Sequence, residues 1–103
     1  MEGTRLIKST HSSATFNTTL NPFTYYVCST ALSSLVISGL NAPKDTNLIG
    51  SYIIEFKPST SSMTLTLPTS VKWMNGSKPS SFDTSATYQI SIVNNLATYQ
   101  KFK

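Results

Sequence analysis

Catalysis has few residues to draw on in this chain. The single histidine, His11, sits in the polar run HSSA, and the acids are Glu2, Asp45, Glu55 and Asp83. A Ser-His-Asp arrangement would need His11 beside Asp45 or Asp83 and one of the many serines. No nucleophile elbow precedes any of those serines. Paired carboxylates for glycoside hydrolysis are poorly supplied: Asp45 and Asp83 lie in turn-like segments, and Glu55 alternates out of a strand. One Cys and one His make no metal-ligand cluster. The four glycines, at 3, 39, 50 and 76, form no phosphate-cradling G-x-G pattern. The residues therefore predict no enzyme, no cofactor and no metal.

Binding is the remaining chemistry, and it turns on the stretch MTLTLPTSVKWMNG at residues 63–76, which holds the only tryptophan. An exposed Trp73 beside Asn75, with Tyr25, Tyr26, Tyr88 and Tyr99 at hand, would suit stacking on a sugar. Val71 and Trp73 share a parity directly after an apolar strand, however, which favours burial of the indole with its N–H bonded to a loop. The expected structural core is Leu65, Leu67, Val71, Trp73, Tyr88, Ile90 and Ile92. Cys28, inside YYVC, reads as a small buried hydrophobe, and as the only cysteine it has no partner in this sequence. N-x-[ST] sequons at Asn17 and Asn75 are what a chain this rich in Ser and Thr carries by chance.

The elements that must position these residues are strands. Tyr52, Ile54 and Phe56 alternate in SYIIEF; Met63, Leu65 and Leu67 do so in MTLTL, which Pro68 ends. Tyr88, Ile90 and Ile92 alternate in TYQISIV, Asn94-Asn95 supplies a two-residue hairpin turn, and LATYQKF returns. Upstream, ATFNTTL, TYYVC and SLVISGL read as three more strands, with Gly39 marking an end or a bulge, and NAPKDTN is a loop. Residues 1–13 are polar apart from Leu6-Ile7 and read as an extended arm. With no helical period anywhere, the expectation is a small antiparallel β-sandwich or barrel-like domain over 14–103, preceded by that N-terminal arm.

Composition narrows the partners. The chain has 103 residues, only 12% charged and 39% hydrophobic, with a net charge of +4. Thr, Tyr, Phe, Val and Ile outweigh Glu and Ala, which suits strands. The eight basic residues are scattered and only Arg5 is an arginine, so no phosphate-reading stripe forms and nucleic acid is not expected. The longest apolar runs, YYVC, LVI and YII, fall far short of a membrane span. MEGTRLIK contains no apolar signal region, which predicts synthesis and use without export.

From Gly50 onward the chain resembles a small β domain of tailed-phage virion proteins, found at the ends of fibre, baseplate and minor structural proteins. The resemblance is carried by Leu65 to Pro68 ("LTLP"), Val71 to Trp73 ("VKW") and Tyr88 to Asn94, and it covers about half the sequence. It implies a non-enzymatic bacteriophage virion structural protein at the particle surface, made in the host bacterial cytoplasm. A head fibre or capsid decoration protein fits the length, and such proteins are often trimers. Arg5, Leu6, Ile7 and Lys8 then become the expected virion attachment peptide, docking on a capsid or other virion protein by strand addition or groove insertion. The alternative is a receptor- or carbohydrate-binding adhesin module of a tail fibre or baseplate, with host surface glycans as ligands.

Overall fold

The period-two alternation of the sequence becomes nine strands in the computed structural model, which describes residues 6–74 and 76–102. They are β1 (Ile7–His11), β2 (Thr15–Leu20), β3 (Thr24–Cys28), β4 (Ser34–Leu40), β5 (Ser51–Phe56), β6 (Thr64–Thr66), β7 (Lys72–Trp73), β8 (Thr87–Val93) and β9 (Leu96–Phe102). They form a six-stranded sheet of order β1-β3-β5-β8-β9-β7 and a three-stranded sheet of order β2-β4-β6.

The first six strands alternate between the two sheets, so the chain winds as a coil of three rungs. Ile7 lies beside Thr24 and Thr24 beside Tyr52, all parallel, while Thr15 lies beside Ser34 and Ser34 beside Thr64 in the other sheet. A parallel bridge between Leu32 and Pro58 stacks the corners of the second and third rungs. The last step is longer because residues 41–50 are inserted as a loop. Its turn is held by Asp45, whose carboxylate accepts from the Asn47 N–H at 2.9 Å.

The antiparallel sandwich expected from the sequence is thus corrected in its strand directions: five of the seven strand pairings are parallel. Alternation states which face of a strand is buried, not which way its neighbour runs. Parallel sheets covered on both faces read as continuous apolar runs. Here each rung leaves one face in water, so parallel strands carry an antiparallel-looking pattern. Only the Asn94-Asn95 turn dictates a direction. Both residues have positive φ, 54° and 61°, as a type I′ hairpin demands, and β8 and β9 pair antiparallel across it.

The extended arm is corrected too where it can be followed. Ile7–His11 is strand β1, hydrogen-bonded to β3 in the same sheet as the rest. The part of that arm over residues 1–5 lies outside the described residues.

The core lies between the sheets. Phe16, Leu20, Leu35, Ile37 and Leu65 point in from the small sheet; Tyr26, Cys28, Tyr52, Ile54, Phe56, Tyr88, Ile90, Ile92 and Ala97 point in from the large one. Beyond β6 the irregular segments supply the second layer. Val71, Phe82 and Ala86 cover the inner face of the hairpin, and Phe82 meets the Phe56 and Tyr88 rings at 6.2 and 5.3 Å.

Each inner-face tyrosine also fastens a loop. Tyr26 Oη accepts from the Asn21 N–H at 2.7 Å, Tyr88 Oη accepts from the Asp83 N–H at 2.9 Å, and Tyr52 Oη donates to the Asn41 carbonyl. Burial pushes the Tyr52 phenol up from its ordinary value, with Tyr26 adding to the shift. Gly50 is required beside it, since a Cβ there would come 2.8 Å from Tyr52 Oη and 3.0 Å from Pro22.

Candidate functional site

The residues singled out from the sequence fall in three places. Leu65, Val71, Tyr88, Ile90 and Ile92 are buried, while Leu67 and Trp73 are half-buried and pack against the same cluster. Trp73 is on β7, the last strand of the large sheet, and its ring meets Tyr99 edge-on at 5.9 Å. It lies at the margin of the core, where the small sheet no longer covers it. Leu6, Ile7 and Lys8 are exposed at the opposite margin; Arg5, the fourth residue of the expected attachment peptide, lies outside the described residues.

Two sites built on rigid strands stand out. The first is the edge of the opening rung. β1 and β2 are the end strands of the two sheets, and neither has a partner on its outer side among the described residues. Toward β3, the Ile7 N–H donates to the Phe23 carbonyl and the His11 carbonyl accepts from the Ser29 N–H. Residues 7, 9 and 11 are therefore engaged, and by strand alternation the N–H and C=O groups of Lys8 and Thr10 point away from the sheet. On β2 the Ala14 and Leu20 carbonyls accept from β4 and its continuation, which leaves Thr15, Asn17 and Thr19 pointing away.

His11 closes the core at this end. Its ring lies 4.8 Å from Phe16 in an edge contact and 5.7 Å from Tyr26 in a stacked one, and Nε2 is 2.9 Å from Ser9 Oγ. A groove of about 460 Å³ runs past it, lined by Thr10, His11, Ser13, Phe16 and Asn17 among others. A serine beside an imidazole is the start of a nucleophile-base pair, but among the described residues the acids engage elsewhere. Asp45 holds its own loop turn, and Asp83 accepts from the Ser85 hydroxyl and N–H. Those bonds, with Lys101 nearby, hold the Asp83 carboxyl below the usual range.

The second site is the outer face of the large sheet. Tyr25, Glu55 and Gln89 come from three adjacent strands; Tyr25 Oη donates to Glu55 Oε1 at 2.8 Å and accepts from Gln89 Nε2 at 2.9 Å. Burial, then the bond to Glu55, pushes the Tyr25 phenol above its ordinary value, so it is a neutral donor throughout the physiological range. Ile53 and Ser91 flank the phenol in register. The result is a flat patch with one aromatic ring and converging amide, carboxylate and hydroxyl groups.

Sequence reasoning missed both sites. Reading residues 1–13 as a polar arm gives no sign that a strand at 7–11 aims His11 inward. The outer-face cluster has a signal in Glu55, which alternates out of its strand, but strand order is needed to bring Tyr25 and Gln89 beside it. Comparison of this chain with protein-family models, with curated proteins and with solved structures finds no match.

Proposed function

We propose that the chain is a non-enzymatic structural protein that works by assembly, and that its setting is the surface of a bacteriophage virion as a head fibre or decoration protein. The observation that carries the assembly reading is the asymmetry of the coil. Among the described residues its opening rung presents two strand edges without a partner, whereas on the far side Lys78 covers the β6 edge and the large sheet ends beyond the β8–β9 hairpin in the two-residue β7. Uncovered, flat, weakly charged edges are templates for pairing with another chain. The virion setting comes from the resemblance at Leu65–Pro68, Val71–Trp73 and Tyr88–Asn94, which also implies a trimer and docking of Arg5, Leu6, Ile7 and Lys8 on a capsid protein; a capsid strand added there would compete with a second copy of the chain for the outer edge of β1. Mass spectrometry of purified particles tests the setting. The chain is expected at fixed stoichiometry with the capsid proteins; its presence in the lysate but not in particles would refute it.

A second reading, carbohydrate binding by an adhesin module, is favoured by the Tyr25–Glu55–Gln89 patch. A glycan array would return a ligand that is lost on Tyr25→Ala with folding intact. An array without hits, or hits unaffected by that substitution, would remove this reading.

A further inference from the structure

We infer that the opening rung is a self-pairing surface: two copies of this chain join rung to rung, continuing both sheets antiparallel across a two-fold axis. This deepens the assembly reading, on which it rests, by naming the occupant of the uncovered edges.

The argument is one of self-complementarity. An axis normal to both sheets sets β1 against its copy and β2 against its copy at once, each pair running antiparallel. A symmetric dimer needs this isologous match at both strands together. On β1 the free backbone groups belong to Lys8 and Thr10, so pairing about Ser9 places Lys8 opposite Thr10 of the partner subunit. On β2 the outward groups belong to Thr15, Asn17 and Thr19, and pairing about Asn17 places Thr15 opposite the partner's Thr19, where the Thr15 N–H already donates to Ser13 Oγ and the Thr19 carbonyl already accepts from the Thr18 hydroxyl. The two centres lie within a residue of each other across the rung: His11 meets Phe16 edge-on near one end, which sets Ser9 across from Thr18, next to Asn17. One axis can thus pass close to both centres. Such pairing would form about eight main-chain hydrogen bonds from free groups, two for each directly bonded pair except the two Thr15–Thr19 pairs, which keep one each.

The side chains agree. No proline, no acid and no inward-pointing charge interrupts either edge, and Lys8 is the only cation on them. In this register Lys8 meets a threonine rather than its own copy, so like charges do not oppose. Three of the rung's inward residues, Ser9, His11 and Thr18, are half-buried and polar, while Phe16 and Leu20 beside them are buried in the core. The edges at the other side of the molecule are treated differently. Lys78 Nζ donates to the Leu65 carbonyl on β6 at 2.9 Å, covering the edge where a third partner would start.

The test uses the isolated chain in solution, so its outcome is independent of the virion setting. Native mass spectrometry at tens of micromolar is expected to show dimers or even multiples of two, a pair of trimers joined rung to rung included. Thr10→Pro combined with Asn17→Pro removes one outward N–H from each strand at edge positions where proline is tolerated. It is expected to raise the dimer dissociation constant at least tenfold while circular dichroism is unchanged. As a second variant, Ser9→Cys places two thiols across the axis at a non-hydrogen-bonded pair, and mild oxidation is expected to give a covalent dimer. A monomer at these concentrations, odd copy numbers alone, a dimer insensitive to the double proline variant, or a dimer whose Ser9→Cys form fails to cross-link would each overturn the inference.

Discussion

The first and third rungs of this molecule are built from similar strands and end differently. The third rung is finished: β8 pairs with β5, β9 pairs with β8, Phe82 seals the inner face, and Lys78 covers the edge of β6. The first rung is left open, with Ile7 69% exposed on the same inward parity that buries Thr24, Tyr52 and Ile92. A coil needs a stop at each end. Here one stop is made of the chain's own hairpin, and the other, among the described residues, is a pair of unpaired strand edges. The difference assigns stability to the later rungs and association to the first.

Truncating the inward row tests that division most strongly. Ile54→Ala, at a position fully shielded between neighbouring strands, is expected to lose about 3–4 kcal/mol in urea denaturation. Ile7→Ala, on the same inward parity but in the neighbouring row on β1, should change stability by less than about 0.5 kcal/mol. Equal losses would erase the contrast between the rungs.

Trp73 sharpens it at the opposite margin. As a half-buried ring held by Tyr99, it should cost about 1–2 kcal/mol on change to alanine, less than a full core truncation. A loss above about 3 kcal/mol would place the indole at the centre of the fold instead. Lys78→Ala removes one charge-assisted bond near solvent, worth about 1 kcal/mol, and uncovers the β6 edge. Analytical ultracentrifugation should then detect larger species than the parent chain forms; unchanged association would show that the lysine does not guard that edge.

Cys28 gives an effect confined to alkaline pH. Burial pushes its thiol from 9.0 to about 11. The unfolded chain releases this proton first, so the stabilisation is complete below pH 9 and is lost as pH rises toward 11. The urea midpoint should fall more steeply over that window for the parent than for Cys28→Ala. Parallel curves would mean that the thiol is open to water.

Much of this was legible in the sequence, for identifiable reasons. Strands and their buried faces follow from alternation, as in SYIIEF and TYQISIV, and the Asn94-Asn95 turn follows from the tolerance of asparagine for positive φ. Strand direction was not legible, because a rung with one wet face has the same pattern in either direction. β1 escaped notice because Lys8, Ser9 and Thr10 carry no apolar period, and its backbone bonds to β3 decide its place. The edge, and the Tyr25–Glu55–Gln89 cluster, exist only once strands distant in sequence are set side by side.

The central claim is that residues 7–11 are a strand with one side paired and one side free for another copy. Residue-resolved amide exchange by NMR across a dilution series measures this directly. The account predicts slow exchange at Ser9 and His11 at every concentration, with Lys8 and Thr10 fast when dilute and slow when concentrated. Fast exchange at all four residues would mean that no strand forms there, and concentration-independent exchange at Lys8 and Thr10 would mean that nothing pairs with its edge.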